Sequence, residues 1–491
     1  MGAVLSLAEL QALPGQLLQG LPIEGSGAHR PDRSGVAVRS FPFPYRAGLA
    51  MSNDCDSQSL ECLFDWHDFV NGRASTRYGD GLGLEVGDSF WVYGGSVEPH
   101  LFKGNPFDAS HADGYALGEL VELGRAGWFD TLHSFGNWSL RFVPPDRKDD
   151  PSIHSRDQIA RGLERMDELG LKPSVYVNHS GSPSNVGGPW GWYQKADDPT
   201  HGLYSLDLLK QFGFRYFWLD SCTQLDKFGE DLDFGDEWHL QRALNRFRWF
   251  HWLRRVDADR RPHPVAMADG ADEQRELLVG IFNRLIFPVD AQDGSRILAF
   301  KRYRDIDQPV GPTFPMQVTA AKLDALEQAR GSVVVYQHFG VFGPRGRLPA
   351  ASRPHRKRSP IPALDEHSVA TWRLIAERQR SGSLFVATTS RLLTWVWMRD
   401  ALRYQVEQND ERWTVRISGV ECPVLGTRDA QAAELNGLAF TVPRHAPEVR
   451  VFDERGRPLP VRRAADPVHE GCDAVFLEWQ PLEWPDRPRA T

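Results

Sequence analysis

Cysteine is scarce and scattered. The five in 491 residues (Cys55, Cys62, Cys222, Cys422 and Cys472) form no C-x-x-C pair, which argues against a disulfide framework and suits reduced thiols. An excess of basic residues is missing too. The formal net charge is −8, whereas a nucleic-acid partner usually leaves a basic footprint. No run approaches the roughly 18 apolar residues of a membrane helix, so no transmembrane segment is expected. The opening, "MGAVLSLAELQALPGQLLQG", carries an acidic residue and no basic n-region. It does not read as a secretory signal, and the expected compartment is the cytoplasm.

What is present is a globular composition, 41% hydrophobic and 25% charged. The length suits a barrel with an accessory module better than one ordinary domain. From about residue 41 a pattern recurs: a short β-branched or aromatic run ends in polar residues, and a helical segment follows. Such runs are "AGLAMSND" (47–54), "LGLEVGDSFWVY" (82–93), "WFDTLHSFG" (128–136), "KPSVYVNH" (172–179) and "FRYFWLDS" (214–221). Further along come "HPVAMADG" (263–270), "RLIFPVD" (284–290), "VVVYQHFG" (333–340) and "SLFVATTS" (383–390). Helices are expected near 60–71, 203–213, 238–258, 317–330 and 364–381. Another follows the Ser155–Gln158 capping box, with Ile159, Leu163 and Met166 on one face and Gly170 at its end.

Strand and helix alternating this often predict a parallel sheet covered by helices. The expected fold is an α/β protein built on a (β/α) barrel of seven or eight strands over residues 41–398, after an N-terminal extension of 1–40. Residues 399–491 change texture. "RWTVRISGV", "LAFTVP", "EVRVFDERGRPLPV" and "AVFLEW" are short alternating strands, the pattern of a β-sandwich-like module whose expected role is to brace the barrel. The Pro/Arg-rich stretch 343–362 reads as an exposed, solvated loop.

In a parallel barrel the loops after the strands build the site. Asp54, Asp56, Glu85, Asp88, His133, His179, Asp220, Asp269, Asp290 and His338 all fall at or near such expected strand ends. Trp91 lies on the expected second strand, and Trp190 and Trp192 sit in the Gly-rich "GGPWGWYQK". Aromatic faces there suit sugar rings and packing equally. In "YRAGLAMSNDCDSQS" (45–59) a strand stops at Asp54 and Asp56, which either cap the next helix or begin a site. His133 and Asn137 are four residues apart and share a face if a helical turn starts there. With an aspartate from the first strand they could hold a cation and leave positions open, as a catalytic metal requires. The plain alternative is a buried histidine bonded to backbone.

Taken in order, "MSNDCD", "HSFGN" (133–137) and "VVVYQHFG" resemble the polysaccharide deacetylase family of carbohydrate esterases. Its first motif is an apolar strand ending in paired aspartates, its second His-Ser/Thr-x-x-His, and a late one a strand ending in Leu-x-His. "GSLFVATTSRLL" is similar to that family's final strand. Here Cys55 separates the aspartates, Asn137 stands where the second histidine would, and "YVNHSG" with His179 stands where an Arg-x-Pro motif would. The resemblance spans roughly 40–395. It implies the glycoside hydrolase/deacetylase barrel and a divalent metal, zinc or a harder cation, on Asp56, His133 and Asn137. It also implies Asp54 as general base, His338 as the acid that protonates the leaving amine, and an acetylated polysaccharide or oligosaccharide as substrate. Asp220 is a further catalytic candidate. Glu85, Asp88, Trp91, His179, Trp190, Trp192 and Asp290 are expected to line the substrate. Two alternatives stay open. The same barrel hosts glycoside hydrolases, which use two carboxylates across the sugar. A barrel with degenerate motifs could also bind a glycan without cutting it.

Overall fold

The β-branched runs do form strands, and the capped segments form helices. The computed structural model describes residues 35–94, 97–103, 112–137, 154–179, 182–188, 194–219, 224–225, 228–229, 284–304, 309–341, 363–422 and 424–485. The expected segments at 238–258, 263–270 (with Asp269) and 343–362 lie outside them, as do Asp220, Trp190 and Trp192. The architecture is mixed α/β, with eight α-helices among the described residues.

Two largely parallel sheets carry the first four hundred residues. In one, β1 (Ala47–Asn53) lies between Ser332–Gln337 and Leu384–Val386, all parallel, and Arg302–Tyr303 continues beside Ser332–Gln337. In the other, Asp88–Gly94, Phe129–Leu132, Val175–Val177, Tyr216–Trp218 and Arg296–Phe300 are successive parallel neighbours. All seven residues of β1 are buried, as expected of a strand covered on both faces. Close links join the two sheets. Ser89 Oγ donates to the Asn53 carbonyl at 2.8 Å and accepts the Cys55 N–H at 3.0 Å. Lys301 alone separates Arg296–Phe300 from Arg302–Tyr303.

The helices follow their caps. Ser155 and Gln158 form the expected capping box of Arg156–Glu168, and Gly170 follows with φ +69°, the left-handed residue that commonly ends a helix. Leu60–Val70, Leu206–Phe212, Ala320–Gln328 and Glu366–Arg380 match the other expected segments. Leu117–Arg125 and Thr389–Ala401 are additional helices. The expected boundary at residue 398 falls inside the second of these, whose Leu392, Trp395 and Val396 share a core with Val415, Phe440 and Val475 of the C-terminal sheets.

Two four-stranded sheets make up the C-terminal part, Leu402–Gln408 with its partners and Ala439–Pro443 with its partners. The second recruits Ala37–Val38, antiparallel to Ala439–Pro443, so residues assigned to an N-terminal extension are a strand of this unit. Arg39 seals the join: it is buried and ion-paired with Asp466 at 2.9 Å. Among the described residues no helix is long and apolar enough to cross a membrane.

Candidate metal centre

β1 ends in a turn, not in a helix cap. The Asp54 N–H donates to the Gln337 carbonyl at 2.8 Å, extending the ladder by one residue. Gln58 N–H then bonds the Cys55 carbonyl at 3.0 Å. Ser57 takes φ +60°, unusual for a residue with a side chain, and its N–H is held by the buried Glu98 carboxylate at 2.9 Å. Helix Leu60–Val70 is capped by Ser59, whose side chain accepts the Cys62 N–H. Asp54 and Asp56 are therefore not cap residues. They are 1% and 3% exposed, and buried carboxylates need partners.

Those partners come from the ends of other strands. His133 follows Phe129–Leu132, His179 follows Val175–Val177 and His338 follows Ser332–Gln337. Ser134, directly after His133, is another left-handed residue at φ +57°. His133 Nε2 lies 3.4 Å from Asp56 Oδ2 and 3.5 Å from Asp54 Oδ2. His338 Nε2 lies 3.3 Å from Asp56 Oδ2 and 3.7 Å from Asp54 Oδ2. His179 Nε2 lies 3.7 Å from Asp56 Oδ1. Hydrogen bonds between nitrogen and oxygen run about 2.7–3.2 Å, so all five approaches are long. They instead match the edge of a tetrahedron around a cation with ligand bonds of about 2.1 Å, which is about 3.4 Å. Neither ring nitrogen of the buried His133 makes a hydrogen bond among the described residues, a costly state for a polar group without a ligand.

Arg302 orders the other side of Asp54. Its Nη1 donates to Asp54 Oδ1 at 2.6 Å and to Ser52 Oγ at 3.2 Å, and its Nη2 to Asp54 Oδ2 at 3.3 Å. The guanidinium lies between the rings of Trp218, 3.5 Å from the centroid, and Tyr336, at 3.8 Å. Planar, permanently charged arginine suits such a stacked and bidentate seat. His338 is fixed by its Nδ1, 2.9 Å from the Pro309 carbonyl oxygen. That bond assigns the proton to Nδ1 in the neutral ring and turns the Nε2 lone pair toward the carboxylates.

Burial alone would raise both aspartates. For Asp54 the Arg302 charge, then His133 and His338, override it and lower the pKa. For Asp56 the imidazoles of His133, His338 and His179 hold it well below the usual range. Both read as anions ready to face a cation. Cys55 goes the other way. Burial, then the Asp56 and Asp88 carboxylates, push its thiol well above its ordinary value, so without a cation it stays a neutral thiol.

Several expectations need correction. No helical turn begins at His133: Gly136–Asn137 is a short strand paired with Tyr93 and Gly94, so the shared helical face with Asn137 does not exist. The Asn137 side chain lies outside the described residues, and His179 is the nitrogen donor that joins Asp56 and His133. Asp88 opens its strand instead of closing it. It is buried, accepting Asn53 Nδ2 at 2.9 Å and Gln58 Nε2 at 2.7 Å, with His67 Nε2 at 3.0 Å. Asn53 in turn accepts the Phe339 N–H at 2.8 Å, so Asp88 braces the strand ends that carry Asp54 and His338. Glu85 precedes that strand and is buried, paired with Arg391 and accepting the Leu482 N–H. Asp290 ends a strand antiparallel to its neighbour and lies exposed against Arg296; the reversed direction carries it away from the other strand ends. Trp91 is buried, its ring 4.3 Å from His133 and 4.9 Å from His179, a backing for the imidazoles. Arg302 was not foreseen. Its only sequence signal is a basic residue after the apolar "ILAF".

The chain matches no family model and no curated protein.

Proposed function

We propose that this protein is a metal-dependent hydrolase that removes acetyl groups from a carbohydrate. The observation that carries the reading is the spacing of the His133 and His179 Nε2 atoms from the Asp56 oxygens, 3.4 and 3.7 Å, with both His133 nitrogens lacking a hydrogen bond among the described residues. Asp56, His133 and His179 would hold a divalent cation. When bound, the cation supplies Lewis acidity, making a water more acidic and polarising an acyl carbonyl.

The remaining residues take roles their positions support. Arg302 engages Asp54 chiefly at Oδ1, which leaves Oδ2 turned toward the centre to receive a proton. His338 faces the same carboxylates through Nε2, a lone pair in the neutral ring, so it would first take up a proton there and then pass it to the departing amine or alcohol. We read the two parallel sheets as one irregular barrel wall, on the strength of the Ser89 bridge and the single-residue link at Lys301. The two C-terminal sheets are read as a bracing sandwich. Barrel and carbohydrate both follow the family resemblance. Of the carboxylates the glycosidase alternative could use, Asp88 is engaged with Asn53, Gln58 and His67 and Asp290 with Arg296, while Asp220 and Asp269 lie outside the described residues.

The test is direct. The metal-stripped chain should bind a divalent cation and then release acetate from an acetylated oligosaccharide panel. Failure to bind any cation, or new reducing ends in place of acetate, would refute the reading.

A further inference from the structure

Among the described residues five donors surround this centre, more than one catalytic cation takes if it keeps a position open, since three protein ligands is the usual number. Asp56, His133 and His179 form one compact triad, and Asp54, Asp56 and His338 another, each with its ligand atoms within 4.8 Å of one another. Asp56 is common to both: its Oδ1 is nearest His179, and its Oδ2 lies 3.4 Å from His133 and 3.3 Å from His338. In the second triad the Pro309 carbonyl fixes His338 with Nε2 directed at both carboxylates, the orientation a metal-ligating histidine takes.

We propose that Asp54, Asp56 and His338 form a second, weaker divalent-cation site, and that filling it shuts the enzyme off. The inference rests on reading Asp56, His133 and His179 as the activating site. The second site is weaker for two reasons. It shares Asp56 with a cation already present, and Arg302 already occupies Asp54 at 2.6 Å; both place positive charge beside the incoming ion. It is inhibitory because its ligands are the residues placed to carry protons. With Asp54 Oδ2 and His338 Nε2 both engaged, neither can accept or deliver one.

The experiment titrates the metal-stripped full chain with Co²⁺, counting bound metal by equilibrium dialysis and following the visible absorption of the bound ion. Two equivalents are expected, the second weaker by roughly 100- to 1000-fold, the order that repulsion between two divalent ions near one carboxylate sets in a water-like dielectric. His338→Gln and His338→Ala should lose the second equivalent and keep the first. If neither folds, Asp54→Asn carries the same comparison. Acetate release by the wild type should rise through the first equivalent and fall through the second. A single equivalent, up to 1000 times the first dissociation constant (roughly 4 kcal/mol), would overturn the second site and leave the hydrolase reading standing. No bound metal would overturn both. A second equivalent that persists in the His338 variants, or that does not inhibit, would also overturn the proposal.

Discussion

Arg302→Met offers the sharpest perturbation of the centre. Arg302 and Asp54 have side-chain exposures of 0% and 1% and meet at 2.6 Å. Methionine keeps much of the apolar contact with Trp218 and Tyr336 but leaves a buried carboxylate without its cation. Breaking one partner of a buried pair costs about 3–5 kcal/mol. With a urea slope of about 3 kcal/mol/M, the midpoint should fall by about 1 to 1.7 M in metal-free protein. The sign of the second step is more telling. Asp54→Asn in the Arg302→Met background removes the stranded charge, so the double variant should be more stable than Arg302→Met alone. Urea unfolding followed by tryptophan fluorescence reads both. A loss below about 1 kcal/mol for Arg302→Met, or a double variant less stable than the single, would refute the claim that Asp54 is a buried anion held by Arg302.

Other outcomes separate the roles. Asp56→Asn should weaken cation binding by more than about 100-fold, beyond the range seen for outer-shell changes. Asp54→Asn should keep the first cation and lose activity by about 10²- to 10⁴-fold, the usual contribution of a general base; dialysis with acetate assays distinguishes them. His179→Ala should lose the first cation while Asn137→Ala keeps it, reversing the ligand set expected from the His-x-x-x-Asn spacing; equal affinities would refute the assignment. Asp466 supplies a pH test away from the centre. Burial would raise it, but His469 and Arg39 hold it far below the ordinary carboxylate range. Its stabilising effect is therefore full above the unfolded value of about 3.9 and disappears as pH falls below that toward the depressed folded value. Asp466→Asn should flatten this acid limb in pH-dependent melting, and an unchanged limb would count against the pair.

The sequence was most readable where one local rule decides. "SVVVYQ" and "AGLAMSN" are β-branched or fully apolar runs, and their polar successors mark strand ends whatever the tertiary context. Asp54, Asp56, His133, His179 and His338 were all visible on that basis. Arg302 was hidden because "RILAF", following Ile286–Asp290 after only a short turn, was not read as a strand of its own, so no strand end was expected after it. The same hairpin reverses the chain, and direction is what sends Asp290 to the wrong end. Thr389–Ala401 was hidden for another reason. Leu392, Trp395, Val396, Trp397 and Met398 are buried almost all round, which erases the polar face that marks a surface helix.

The spacing of Asp54 and Asp56 depends on tertiary geometry in the same way. In an extended chain alternate residues share a side and adjacent ones do not. The ladder continues through Asp54, so adjacent aspartates would diverge unless the backbone turned at once. With Cys55 between them, Asp54 Oδ2 and Asp56 Oδ2 both reach His133 and His338 within 3.7 Å. The turn is instead taken at Ser57, where Glu98 holds the left-handed residue. Cys55 is thus the residue that puts both carboxylates on one side, and its own fully buried, neutral thiol fits a spacer. Deleting Cys55 should therefore abolish cation binding, whereas Cys55→Ala should preserve it. Loss of binding in Cys55→Ala with the fold intact would mean the thiol itself is a ligand.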